Sequence, residues 1–182
     1  MNDSILKDSI LARVKNYRQL AERCFEQLTE ADFHFKNTDV DNSIAVIIQH
    51  MAGNMRSRFT DFLTTDGEKE WRKRDEEFAE LSLSRKELIQ RWNEGWNCFL
   101  NAIEQLEPGD WEKTVFIRGE SMTVTDAVIR QLAHYPYHIG QIVHISRQIR
   151  GDQWISLSIP RGASQQFNQQ PGPKDPGRRD NA

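Results

Sequence analysis

Apolar residues recur at three- and four-residue intervals in four long stretches of the chain, the spacing of a helix that buries one face. In the first, Ile5, Ile10, Leu11, Val14, Tyr17, Leu20, Ala21, Cys24, Phe25 and Leu28 form a stripe that predicts a helix over 4–29. The second follows Asp41, Asn42 and Ser43, any of which can cap a helix, and runs from Ile44 through Ile47, Ile48, Met51, Met55 and Phe59 to Phe62. The third opens on Ser84, where Ser-Arg-Lys-Glu matches a capping box, and passes through Leu88, Ile89, Trp92, Trp96, Phe99 and Ile103 to about Leu106, with Pro108 and Gly109 ending it. The fourth begins after Thr123 or Thr125, with Asp126 in its first turn, and ends near Arg150 before Gly151.

The connections between the stripes shape the fold. The second and third are separated by TTDGEKEWRKRDEEFAELSL, far longer than a turn between antiparallel neighbours needs. A helical bundle with one long crossover follows, its second and third helices parallel. TVFIRGESMTV has strand-like residues on both sides of Arg118-Gly119-Glu120 and predicts a small hairpin before the last helix. GDQWISLSIPRGASQQFN, after the fourth helix, is apolar for a terminal extension; the stretch QQPGPKDPGRRDNA from Gln169 has nothing to bury and reads as a disordered tail. One domain over 1–168 is expected, with 169–182 outside it.

Composition narrows the partners. The 182 residues suffice for a single core without disulfide or metal staples. Formal net charge is -3 and charges of both signs are mixed along the chain, so nucleic acid is not an expected partner. Cys24 and Cys98 lie far apart inside apolar helical patterns, where cysteine acts as a small buried hydrophobe and stays reduced. Asp3, Lys7, Asp8, Arg13, Lys15 and Arg18 interrupt any signal-peptide core, and no later run reaches membrane-spanning length. A soluble cytoplasmic protein without a membrane partner is expected.

The candidate chemistry is carried by histidines. His134 and His138 are four residues apart, about 40° around a helix axis, so both imidazoles face the same way and can grip one metal ion. A facing helix could supply a third ligand, and His50 in NSIAVIIQHMAGNM is placed on one. Three imidazoles leave a coordination position open, which distinguishes a catalytic site from a closed structural one. His144, six residues past His138, falls about 240° around the axis and off that face. His34 lies in a loop. HYPYH lacks the glutamate of a helix-borne HExxH protease motif, so no general base is built in.

A helix-borne His50, a second helix reading HxxxHxGQ (His134, His138, Gly140, Gln141), and the order helix, helix, long crossover, helix, helix resemble the DinB/YfiT-like superfamily over roughly residues 1–150. The resemblance implies an all-α, up-down-down-up four-helix bundle, often a homodimer, holding zinc or nickel through three histidines, here His50, His134 and His138. It also implies a low-molecular-weight thiol cosubstrate, since several such proteins are thiol-dependent transferases. NMRSRFTDFLTTDGEKEWRKRDEEF and SLSIPRGASQQFN look most like a DinB-like subgroup of unknown function. Pro136, between the paired histidines, removes a helix N–H and should bend the helix locally.

Other residues are weaker candidates. Asn54 is one turn after His50 and Gln141 three residues after His138, so either could line the cavity or orient a ligand. Arg56, Arg58, Asp61, Arg72, Arg74 and Asp75 read as a solvated salt-bridge network, in which one arginine such as Arg58 could instead clamp a substrate anion. Trp71, Trp92, Trp96, Trp111 and Trp154 are expected in the core or a pocket wall. The C-terminal extension could fold back as a lid, bringing Arg161, Ser164 or Asn168 to the cavity mouth, or form a dimer contact. The chain is expected to be a metal-dependent S-transferase or hydrolase of small molecules; the alternative is a non-catalytic metal-binding or stress-related interaction protein.

Overall fold

The computed structural model describes residues 3–171. The protein is mostly helical. Its long helices are α1 (Asp3–Phe25), α2 (Ile44–Phe59), α3 (Arg85–Glu104) and α4 (Val124–Arg150), and a short α5 spans Ser164–Gln169. Strands β1 (Thr114–Ile117) and β2 (Glu120–Thr123) form an antiparallel hairpin before α4, with Ile117 opposite Glu120. The turn is therefore two residues, Arg118 and Gly119, both with positive φ, and Glu120 belongs to the strand. Of the tail expected from Gln169 onward, Gln169 closes α5 and the stretch from 172 lies outside the described residues.

The helix starts follow their capping chemistry. Ser43, of the three candidates, caps α2 by accepting from the Val46 N–H at 3.2 Å. Ser84 and Glu87 complete the capping box of α3, and Thr123 caps α4, while Thr125 donates its hydroxyl to the Trp111 carbonyl. The ends follow apolar spacing less closely. α1 stops at Phe25 and α2 at Phe59, yet Leu28 and Phe62 are still buried, packed from the turns that follow. Apolar periodicity continues through a turn when the turn also faces the core, so it overruns the hydrogen-bonded helix.

α2 is buried on nearly every face, from Ile44 to Phe59, which makes it the central helix. The core beside it is aromatic: Trp96 and Phe99 of α3 meet Tyr135 of α4, with ring centroids 5.8 and 5.3 Å from it, and Trp92 packs on Trp96 at 5.5 Å. Trp71 takes the pocket-wall placement rather than the core, lining a groove. It is half exposed in the crossover, under the Arg56 guanidinium at 5.6 Å.

The crossover, residues 60–84, is pinned rather than loose. Asp66 accepts from the Arg118 and Gly119 N–H groups at 2.8 and 2.7 Å, holding the hairpin turn, and the Gly67 N–H donates to the Phe116 carbonyl at 2.7 Å. Two arginines expected in a solvated network are buried instead. Arg58 donates to the Gly67 carbonyl and, at 2.9 Å, to Glu68, while Arg72 sits 3.6 Å from Glu68 and bonds to Glu77. Carboxylates from the crossover follow them inward because a buried guanidinium is tolerated only when paired. Cys24 is buried with its thiol pushed up to about 11 by burial, and both cysteines are free. No helix among the described residues is long and apolar enough to cross a membrane.

Candidate metal centre

α2 and α4 bring three imidazoles together. Among the described residues, His50, His134 and His138 are the group of metal-ligating side chains whose donor atoms all lie within 4.8 Å of one another. The Nε2 atoms of His134 and His138 are 3.0 Å apart, and those of His50 and His134 3.4 Å. Nitrogens held about 2.0–2.1 Å from a tetrahedral zinc ion stand about 3.3 Å apart. The protein has placed them at ligand spacing.

The other nitrogen of each ring faces outward to an oxygen. His50 Nδ1 is 3.0 Å from Glu77 Oε2, His134 Nδ1 is 3.3 Å from Gln131 Oε1, and His138 Nδ1 is 3.0 Å from Gln141 Oε1. Each Nδ1–H donates to that oxygen, so each Nε2 of a neutral ring presents a lone pair. With the Nδ1 atoms so engaged, the Nε2 lone pairs are left to converge on a common point, where a cation can take them. Burial pushes the His134 imidazole down to about 3, with His138 and then His50 adding to the effect, and burial lowers His138 as well. Both rings are therefore neutral near pH 7, the form that can bind a metal. This donor set fits a divalent transition metal.

Local structure explains the aim of the rings. Pro136 does not interrupt α4, which runs unbroken from Val124 to Arg150. Tyr135, fully buried between the paired histidines, donates its hydroxyl to Asn54 Oδ1 at 3.1 Å. That bond joins α4 to α2 beside the paired histidines, where Tyr135 also packs on Trp96 and Phe99. Asn54 thus bonds to Tyr135 rather than to an imidazole. Phe78 covers His50, with ring centroids 4.8 Å apart.

Glu77 is in turn held by Arg72, whose Nε and Nη2 donate to its two oxygens at 2.7 and 2.9 Å. Burial would raise the Glu77 carboxyl, but the hydrogen bonds from His50 and Arg72 outweigh it and keep the group below the usual carboxylate range. Glu77 and Gln131 are the contacts that spacing arguments missed. Gln131 lies three residues before His134, the mirror of Gln141 three after His138, so the same helical reasoning reaches it; Glu77 lies in a single short 3-10 helix of the crossover, Arg74–Phe78, too short to carry a periodic signal.

The remaining candidates fall elsewhere. Arg58 ties α2 to the crossover, His144 is exposed, and the His34 Nε2 stands 2.8 Å from the Leu83 carbonyl oxygen. The C-terminal extension does fold back, but onto the end of α1 and the turn after it: Gln27 bonds to both the N–H and the carbonyl of Ile155, and Arg23 donates to the Leu157 carbonyl. Arg161 is exposed, and Ser164 and Asn168 are exposed on α5.

Two grooves flank the outer hydrogen-bond partners of the imidazoles. One of about 700 Å³ lies outside Glu77 and is lined by Gln49, Gly53, Arg56, Trp71 and Arg72 among others. The other, about 660 Å³, lies outside Gln141 and is lined by Phe35, Lys36, Tyr137 and His144 among others. Both volumes are in the range that small-molecule sites occupy.

A family model described as a protein of unknown function, DUF1572, matches residues 3–163, nearly the whole described chain. The chain belongs to the DUF1572 family. Neither curated proteins nor solved structures give a match. In this DUF1572 chain all three histidines and their outer partners Glu77, Gln131 and Gln141 fall inside the matched span.

Proposed function

We propose that this protein is a metal-dependent enzyme acting on a small molecule, with His50, His134 and His138 as the protein ligands through Nε2. The observation that carries the reading is the paired arrangement of each ring: Nδ1 committed to an oxygen, Nε2 converging on its neighbours. Zinc or nickel is the proposed ion. Bound there, it supplies Lewis acidity at a position the protein leaves unfilled, lowering the pKa of whichever water or low-molecular-weight thiol takes it.

The chain's own residues do the rest. Glu77 orients His50 and adds negative charge behind it, Gln131 and Gln141 fix the paired rings, and Phe78 covers the His50 ring on one side. We place the protein with the DinB/YfiT-like superfamily, as an up-down-down-up bundle and a cytoplasmic homodimer, and favour thiol transfer over hydrolysis on that kinship.

Cobalt substitution separates the two reactions. A thiol bound at the open position loses its proton and should introduce a sulfur-to-metal charge-transfer band. Cobalt-loaded protein that shows no such band with any cellular thiol, yet hydrolyses a substrate in a chelator-sensitive way, would move the reading to a hydrolase. No chelator-sensitive turnover in either screen would contradict the enzyme.

A further inference from the structure

Glu77 reaches His50 across a gap in α2. Gly53 lies three residues after His50, on the same face of the helix. A Cβ at position 53 would overlap the Glu77 carboxylate, standing 2.7 Å from its Cδ and 3.1 Å from its Cγ, where carbon atoms in contact keep about 3.5–4.0 Å. The carboxylate has little room to retreat. One oxygen accepts from His50 at 3.0 Å and from Arg72 Nη2 at 2.9 Å, the other from Arg72 Nε at 2.7 Å, and the Arg72 side chain is 2% exposed. Glycine is otherwise a poor choice inside a helix, where alanine is the better former. Its presence in the middle of the central helix calls for a local reason, and the carboxylate supplies one.

We infer that Gly53 is a positioning residue for the metal centre: its missing side chain is the seat from which the crossover's Glu77 holds the His50 imidazole with Nε2 toward His134. The seating of the crossover on α2 and the occupancy of the metal site are thereby linked. The inference rests on the metal reading above and adds to it a residue that touches neither metal nor imidazole.

The test is a cobalt titration of the full-length metal-free protein, with thermal midpoints measured alongside, on wild type, Gly53→Ala, Glu77→Ala, Glu77→Gln and the Gly53→Ala/Glu77→Ala double variant. Loss of an outer hydrogen-bond partner weakens metal binding by about 10- to 100-fold. Gly53→Ala and Glu77→Ala should each weaken cobalt by about that factor. The double variant should bind no more weakly than Glu77→Ala alone, and Glu77→Gln, which keeps an acceptor oxygen, should retain more affinity than Glu77→Ala. With the carboxylate gone, Gly53→Ala should leave the metal-free midpoint unchanged or raise it. A merely structural glycine would instead lower that midpoint in both backgrounds and leave cobalt affinity as in wild type.

Cobalt affinity of Gly53→Ala equal to wild type, or losses that add in the double variant, overturns the inference while the metal site stands. A wild type that takes up no cobalt overturns the metal reading, and this inference with it. Should Gly53→Ala fail to fold, Glu77→Ala, which also takes from buried Arg72 its carboxylate partner, is the reference: a double variant that folds as well as Glu77→Ala supports the inference, and one that fails to fold where Glu77→Ala folds overturns it.

Discussion

His134 shows what burial does to a single group. Its imidazole is held down to about 3, against an ordinary value of 6.5, because burial beside two other imidazoles disfavours the cation. The unfolded chain therefore takes up a proton first as pH falls. Stability from the neutral ring is fully present above about pH 6.5 and is lost progressively as pH falls toward about 3, by an amount on the order of a few kcal/mol. Urea melts of metal-free protein should show lower stability at about pH 5 than at about pH 7.5. His134→Asn should flatten that difference; an unchanged slope would mean that the ring is not held neutral by its surroundings. At this scale the sequence was informative wherever chemistry repeats with the helix. The four-residue step to His138 and the three-residue step to Gln141 both lie on one face. Glu77 meets His50 across 27 residues of chain, with a stretch of irregular backbone between, and no period points to it.

Helix ends are set by caps, and one buried hydrogen bond joins α4 to α2 across the packed core. Ser84 is legible as a cap because its hydroxyl and the Glu87 carboxylate satisfy each other's backbone N–H groups, a local exchange that needs no tertiary partner. Ser84→Ala should cost about 0.5–2 kcal/mol and leave metal affinity untouched, which a chemical melt and a metal titration together would check. The Tyr135–Asn54 bond was not legible, since it joins two helices 81 residues apart. Tyr135→Phe removes only the hydroxyl and leaves buried Asn54 without that donor. It should cost about 1–3 kcal/mol, and a loss of metal affinity with it would show that the bond sets the rotation of α4. The crossover was legible by length alone. Its burial was not, because the charges of Arg58 and Arg72 suggest solvent until Glu68 and Glu77 are seen to follow them inward.

Across the whole molecule the core and the metal centre are separable. Trp92, Trp96, Phe99 and Ile103 of α3 and the apolar length of α2 are buried without reference to the histidines, so the fold does not depend on an ion as a zinc finger does. Chelation should leave far-ultraviolet circular dichroism nearly unchanged and lower the thermal midpoint only by the linkage of the lost ligand. Collapse of the helical signal would make the site structural. The one measurement that bears most directly on the central claim is metal content by elemental analysis after supplementation and desalting, on wild type, His50→Ala, His134→Ala, His138→Ala and His144→Ala. Three converging Nε2 atoms predict about one divalent ion per chain in wild type and in His144→Ala, with large loss in each of the other three. A wild type that stays metal-free, or equal loss in all four variants, would contradict it.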